Sequence, residues 1–356
     1  MDKAITDSLS FIFSRPAIVQ VDITNHCNLD CRYCYNKSNE FLINPEMDSS
    51  KLELVIEKII KQLNPVIVSF SGGEPFIRKD DLFKCAKMLK DANIKVYINT
   101  NGTLLNDDII NKLKALDIDQ VHINIESLSG EKHDFLRGVP GAFKKTMDNL
   151  ERVRQLWDPS RISISVVVNK KNLEDLLEIA KFVKEKGFGE LHIIDMVPTA
   201  INDKELLLTK EEWIKFYSIY EDIKKLGIKI VPNHALLFMR NFKEDKKKPI
   251  DVPFCEAFRL KMVICADGTI VPCDYFKSKE YICGNAVTDN LLDVWQNSEV
   301  GNKFRFPLPG TYKECESCAL FNKCFGGCKA FAKAINGDPF SADPYCKVYK
   351  LNEVKL

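Results

Sequence analysis

Residues 18–34 read IVQVDITNHCNLDCRYC. Ile18 to Ile23 is a β-branched run of strand length, and three thiols, Cys27, Cys31 and Cys34, follow on what reads as the loop after it. Three is the informative number. A closed structural zinc site or an ordinary iron-sulfur cluster takes four protein ligands, so three thiolates on a four-iron cluster leave one iron open to a substrate or cofactor. Zinc completed by His26 is the alternative reading of the same stretch.

Outward from this stretch the same unit repeats. Strand candidates recur at Val66 to Phe70, Lys95 to Asn99, Gln120 to Ile125, Arg161 to Val168 and Leu191 to Met196. Amphipathic stretches near 49–62, 79–91, 106–116, 141–155, 172–186 and 209–226 fall between and after them. The pattern predicts an α/β fold, a partial (β/α)6 TIM-like barrel open on one side, with ligands at the carboxyl ends of the strands. Residues 241–253 (NFKEDKKKPIDVP) are charged and aperiodic and read as a linker. Beyond them Leu260 to Ile264 and Thr269 to Val271 flank Asp267-Gly268, a two-residue hairpin signal. With that turn Cys265 pairs with Ile270 and faces away from Cys273. Nine of the thirteen cysteines lie between Cys255 and Cys346, so this smaller region is expected to take its order from metal. The domains are therefore 1–240, a linker at 241–253, and 254–356.

Composition limits the function. With 51 Lys+Arg against 50 Asp+Glu, the net charge of +1 argues against a protein that coats nucleic acid, whose affinity comes from neutralising phosphates. Residues 1–20 lack the layout of a secretory signal, and no segment approaches the ~20 apolar residues of a membrane span. The expected compartment is the cytoplasm, where clustered thiols favour metal over disulfides.

The Cys27-x3-Cys31-x2-Cys34 spacing, with Tyr33 before the last cysteine, resembles the radical S-adenosylmethionine (SAM) superfamily. The resemblance implies that these three thiols hold a 4Fe-4S cluster whose open iron is chelated by SAM, and that SAM is cleaved to a 5′-deoxyadenosyl radical. Ser71-Gly72-Gly73-Glu74-Pro75 resembles the family segment that holds the SAM ammonium, with glycines for close approach and Glu74 to accept from the cation. Asn101 after strand three, and Asn124 with Glu126 after strand four, stand where relatives direct polar groups at the cofactor and its ribose. Arg137 stands where relatives place an arginine near the SAM carboxylate, and Asn169 is a positional candidate for the adenine.

The later cysteines read Cys255-x12-Gly268-x4-Cys273, then Cys315-x2-Cys318-x5-Cys324-x3-Cys328, then Cys346. This resembles the SPASM extension of radical SAM enzymes, a hairpin plus helices holding two auxiliary 4Fe-4S clusters. By that likeness Cys315, Cys318, Cys324 and Cys346 enclose one cluster. Cys255, Cys273 and Cys328 hold the other, with Cys283, Cys265 or an open iron in fourth place. A zinc ribbon is the alternative for Cys315 to Cys328. Asp274, after Cys273, matches an aspartate that is the proposed base in the similar anaerobic sulfatase-maturating enzymes. If partly buried, its pKa should rise. His122, His192 and His234 have no partners at ligand spacing and read as packing or surface residues, as Cys85 does.

The resemblance therefore implies three 4Fe-4S clusters, SAM, and a reductant such as flavodoxin or ferredoxin. The substrate is expected to be a peptide or protein that is crosslinked or oxidised, with no nucleic-acid or membrane partner. Tetrapyrrole side-chain chemistry in haem-type biosynthesis is the second expectation, and a non-catalytic iron-sulfur electron carrier the third. Only residues 1–17 precede the first strand, so a peptide leader, if used, should be read by a separate partner or by the linker region.

Overall fold

The computed structural model describes residues 14–198, 204–231, 255–305, 312–315, 321, 326–344 and 346. The expected linker and two of the expected ligands, Cys318 and Cys324, as well as His234, lie outside them. Six parallel strands form where the sequence places them: β1 (Ile18–Thr24), β2 (Ile67–Gly72), β3 (Lys95–Thr100), β4 (Gln120–Asn124), β5 (Ile162–Val168) and β6 (Glu190–Asp195). A short β7 (Ile230–Val231) adds to β6 in parallel. The helices α1 (Ser49–Lys58), α2 (Lys79–Asp91), α3 (Asp107–Ala115), α4 (Gly130–Arg137), α5 (Ala142–Leu156), α6 (Leu176–Lys186) and α7 (Lys210–Lys225) intervene. All but α4 were expected. This helix of 8 residues buries His133, Leu136 and Arg137, too mixed a face to show an apolar period.

Strand alternation divides the sheet into two chemistries. Val19, Val21, Val68, Phe70, Val121 and Ile123 are fully buried against helix residues such as Leu52, Val55 and Ile56. Each such side chain contributes about 1.5–3 kcal/mol of burial. The concave face is polar. Register aligns Gln20 with Ser69 and Tyr97, Asp22 with Ser71, Asn99 with His122 and Ser163, and Asn124 with Ser165 and His192. At its floor Glu190 Oε1 accepts from Gln120 Nε2 (2.7 Å), Ser163 Oγ (3.2 Å) and His192 Nε2 (2.6 Å), and Lys229 pairs with the same carboxylate.

Burial pushes the Glu190 pKa up, but His192 and Lys229 outweigh it and hold the carboxyl below its usual range. A depressed folded pKa means that this stabilisation is complete above the unfolded value of about 4.3 and is lost as pH falls through the folded one. In urea unfolding, wild type is therefore expected to lose more stability between neutral and acid pH than Glu190→Gln. Equal losses would show that the group titrates alike in both states.

The hairpin region continues this sheet. β8 (Lys261–Ile264) runs parallel to β1, Ile18 opposite Lys261 and Val21 opposite Ile264. β9 (Thr269–Val271) and a short β10 (Gly284–Asn285) follow antiparallel, giving the order β10-β9-β8-β1-β2-β3-β4-β5-β6-β7. Helices α8 (Leu291–Asn297), α9 (Glu299–Arg305) and α10 (Lys329–Asn336) come after.

The turn differs from expectation. Ile264, not Cys265, pairs with Ile270, and Cys265 N donates to Thr269 O at 2.8 Å. The loop is three residues, Ala266 to Gly268, because Gly268 at φ +90° takes the left-handed position that closes such a loop. This one-residue shift puts Cys265 on the face of Val263 and Val271, where the three pack with Phe41, so the predicted orientation of Cys265 is overturned.

Candidate active site at the carboxyl ends of the strands

The loop leaving β1 carries Cys27, exposed, and Cys31 and Cys34, half-buried. It is held from two sides. Gly73 N donates to Thr24 O at 2.7 Å and Glu74 N to His26 O at 2.8 Å. A Cβ on Gly72 would sit 2.2 Å from Thr24 O, and one on Gly73 2.0 Å from His26 O. The glycine pair therefore admits the cysteine loop itself. From the other side Asp30 N and Arg32 N donate to Arg137 O (3.2 Å) and Leu136 O (3.0 Å) at the end of α4. Asn101 Nδ2 donates to Asn28 Oδ1 at 2.8 Å and lies 3.9 Å from Cys27 Sγ.

Around the thiols lies a buried polar triad. Arg137 Nη1 donates to Tyr33 Oη at 2.9 Å and lies 3.5 Å from Cys31 Sγ. Tyr33 Oη donates to Glu126 Oε1 at 2.5 Å, and Val167 N donates to Glu126 Oε2 at 3.0 Å. Burial raises the Tyr33 pKa well above its usual value, so the phenol stays protonated. Burial alone would lower that of Arg137, but Cys31, Tyr33 and Glu126 raise it. Burial pushes the Cys31 thiol up to about 11.

Nε and Nη2 of Arg137 are buried without a hydrogen-bond partner. An unfilled guanidinium edge beside three thiols fits a carboxylate that arrives with a cofactor on the cluster. A single metal ion fits less well, because among the described residues no three His, Cys, Asp or Glu side chains converge as its ligands. Charged hydrogen bonds of this kind are worth about 1.5–3 kcal/mol, so Arg137→Gln is expected to weaken SAM binding by about 10- to 150-fold at unchanged iron content. Equilibrium binding to the loaded protein checks this.

The other cofactor candidates are placed as follows. Glu74 is fully buried and caps the turn after β2. Its Oε1 accepts from Phe76 N (3.1 Å) and Thr100 Oγ1 (2.7 Å), and its Oε2 from Asn101 N (2.8 Å). The carboxylate expected to meet an ammonium thus ties β2 to β3. Glu126 is likewise enclosed, while Asn124 beside it is half-exposed at the end of β4. Asn169 is turned into its own loop, with Nδ2 on Val167 O and Oδ1 on Lys171 N, both at 2.9 Å.

The second cysteine set divides. The thiols of Cys255, Cys273 and Cys328 act electrostatically on one another. The surroundings of Cys283 are Ser298, Arg305 and Tyr281 O. Cys315 and Cys346 are buried. Asp274 is 14% exposed, with Oδ2 accepting from Lys261 Nζ at 2.7 Å and Oδ1 from Gln20 Nε2. Burial raises its pKa, but Lys261 and Lys277 outweigh burial and the net shift is downward. The expected upward shift is therefore corrected.

Two groups of concave-face residues escaped the sequence reading. Lys277 Nζ pairs with Asp22 and donates to Asn36 Oδ1 at 3.1 Å, 4.9 Å above the Tyr35 ring. Tyr35 packs on Tyr275 with ring centroids 5.4 Å apart, so the chain after Cys273 rests on the chain after Cys34. Across the face His122 meets His192 edge-on at 4.5 Å. The signal was present as polar residues at alternate positions of strands β1, β3 and β4, where a parallel sheet covered on both sides shows near-continuous apolar runs.

Comparison with known proteins agrees with this geometry. Residues 21–183 match the Radical SAM superfamily, and residues 255–319 an iron-sulfur cluster-binding domain, SPASM. The chain is 29% identical over 346 residues to the AdoMet-dependent heme synthase of Methanosarcina barkeri, covering 93% of this chain and 96% of that protein. It is 26% identical to the PqqA peptide cyclase of Bradyrhizobium diazoefficiens, covering 96% and 88%. Streptococcus suis SuiB shares the fold with a TM-score of 0.77 at 19% identity, over 97% of this chain and 80% of SuiB. Among the described residues no helix is long and apolar enough to cross a membrane. The motifs, the sheet and the two matched domains agree: the chain belongs to the radical SAM superfamily of enzymes and carries a SPASM domain.

Proposed function

We propose that this enzyme oxidises a side chain of a peptide or protein, by crosslinking or dehydrogenation, against the concave face of the sheet. One observation carries the reading: the Asp274–Lys277 segment after Cys273 reaches Asp22, Asn36 and Tyr35, so the second cysteine set flanks the same concavity as the first. When bound, SAM and the clusters supply a hydrogen-abstracting 5′-deoxyadenosyl radical and a sink for the substrate's second electron.

The chain's own residues hold and orient. Cys27, Cys31 and Cys34 are the ligands of the SAM cluster, Cys255, Cys273 and Cys328 of one auxiliary cluster, and Cys315, Cys318, Cys324 and Cys346 of another, three clusters in all. Arg137 receives the SAM carboxylate and Asn124 the ribose. Asp274, kept ionised by Lys261, is the acceptor for the proton released on oxidation. The working division of the chain is 1–240 and 254–356, a cytoplasmic flavodoxin or ferredoxin supplies electrons, and the cytoplasm keeps the thiols reduced.

Likeness to AdoMet-dependent heme synthases supports a second reading, oxidation of tetrapyrrole side chains. Anaerobically loaded enzyme with reductant and SAM separates the two. The first predicts 5′-deoxyadenosine formation stimulated by peptides, one of which loses two hydrogens by mass spectrometry. Stimulation by an iron coproporphyrin with loss of carboxyl groups would replace it with the second. Absence of 5′-deoxyadenosine under all conditions would remove both.

A further inference from the structure

We propose that Tyr312 is a positioning residue whose phenol donates a hydrogen bond to the auxiliary cluster of Cys255, Cys273 and Cys328 and so raises that cluster's reduction potential. The proposal rests on the auxiliary ligand sets proposed above and adds the side chain that tunes one of them. Tyr312 is 3% exposed, and its Oη is buried without a hydrogen-bond partner among the described residues. A buried hydroxyl left unmet is costly, so one that persists in a fold points to a group that arrives later. The neighbouring rings do not answer it. Phe321 and Phe340, with centroids 5.4 Å and 6.3 Å from that of Tyr312, carry no oxygen or nitrogen to accept.

The ring stands between the two auxiliary sets, and its ends meet different ones. At the backbone end Cys315 N donates to Tyr312 O at 2.8 Å, and Tyr312, Cys315 and Ala342 share one small buried cluster. At the hydroxyl end the ring lies on Gly326, two residues before Cys328. A Cβ on Gly326 would sit 2.3 Å from Tyr312 Cε1 and 2.9 Å from Cζ, the carbon that bears the hydroxyl. Gly326 also has φ +82°, so the turn into Cys328 gives up a side chain to admit this ring. Asp343 fastens the junction, because Cys328 N donates to its Oδ2 at 2.7 Å and Cys346 N to its backbone O at 2.8 Å.

Burial, and after it Cys255, raise the Tyr312 pKa, so the phenol keeps its proton and remains a donor. Cluster sulfur is an acceptor that gains charge on reduction, and a donor aimed at it favours the reduced form, which raises the potential. The proton stays on the phenol throughout. A raised potential suits the cluster that takes the second electron from the substrate.

The test is a potentiometric titration of the cluster-loaded full chain followed by paramagnetic resonance, with proton hyperfine spectra of the reduced auxiliary clusters in light and heavy water. Wild type is expected to show an exchangeable proton coupled to an auxiliary cluster. Tyr312→Phe, which keeps the ring, should lose that coupling and disfavour reduction by about tenfold, about 59 mV for one electron, with iron content and the SAM-cluster signal unchanged. A coupling that survives in Tyr312→Phe overturns the proposal, as does an unchanged potential. Should Tyr312→Phe fail to hold iron, wild type decides alone, since no exchangeable coupling to either auxiliary cluster would overturn the phenol's role. Iron near four per chain in wild type would remove the auxiliary ligand sets and this proposal together, whereas iron of about twelve with an indifferent variant removes only the role of Tyr312.

Discussion

Cys31→Ala is expected to bring 5′-deoxyadenosine formation down to background and to remove about four irons, out of the about twelve that the proposed three clusters would bring. The thiol lies against the Arg137–Tyr33–Glu126 triad, with Arg137 Nη1 3.5 Å from its sulfur. Without metal, burial keeps it a neutral thiol, its pKa up to about 11. Loading therefore displaces a proton and replaces a buried neutral group by a thiolate that Arg137 can neutralise. Removing the thiol leaves two ligands, with Glu126 as the charged partner of Arg137. The auxiliary set, on separate loops, should keep its iron. Iron analysis with paramagnetic resonance of the reduced protein checks both halves. A Cys31→Ala chain that kept its full iron and cleaved SAM would show that the other thiols do not depend on it.

Lys277→Met is expected to destabilise the protein by about 3–5 kcal/mol, the cost of breaking a buried ion pair from one side. Lys277 and Asp22 side chains are 2% and 0% exposed. Burial would lower the lysine pKa, but Asp22 and Tyr35 outweigh it and raise it, so the ammonium is charged in place. Its removal leaves the Asp22 carboxylate buried with Gln20 Nε2, at 3.1 Å, as its remaining donor. It also unties the chain after Cys273 from Asn36, two residues beyond Cys34. The double variant Asp22→Leu/Lys277→Met should recover most of the loss, because no uncompensated charge remains. Anaerobic thermal or urea unfolding of the cluster-loaded protein measures this. A single variant as stable as wild type would mean that the pair is open to water.

Much of the architecture could be read from local pattern. The six predicted strands form within a residue or two of their expected ends, since an apolar half alternates along them and several close on glycine or asparagine, as β2 does at Gly72 and β4 at Asn124. Residues whose role depends on what packs against them were read less well. Glu74 sits in the expected segment, yet its carboxylate is taken by backbone and side-chain donors on β3. Gly72 and Gly73 serve a neighbouring loop that no local window contains. Asp274 was expected to be raised by burial, and Lys261, thirteen positions away in sequence, lowers it instead.

Sequence alone determined the alternation of strand and helix, the two cysteine spacings and hence the family, because these depend on periodicity and on distances along one chain. Tertiary structure decided that the hairpin joins β1 in one sheet, that Cys265 turns to the face of Val271, and that His122 meets His192. The physical reason is register. Strand side chains alternate with a period of two, so which polar groups meet on the concave face depends on how distant strands are aligned, and a shift of one residue reverses it.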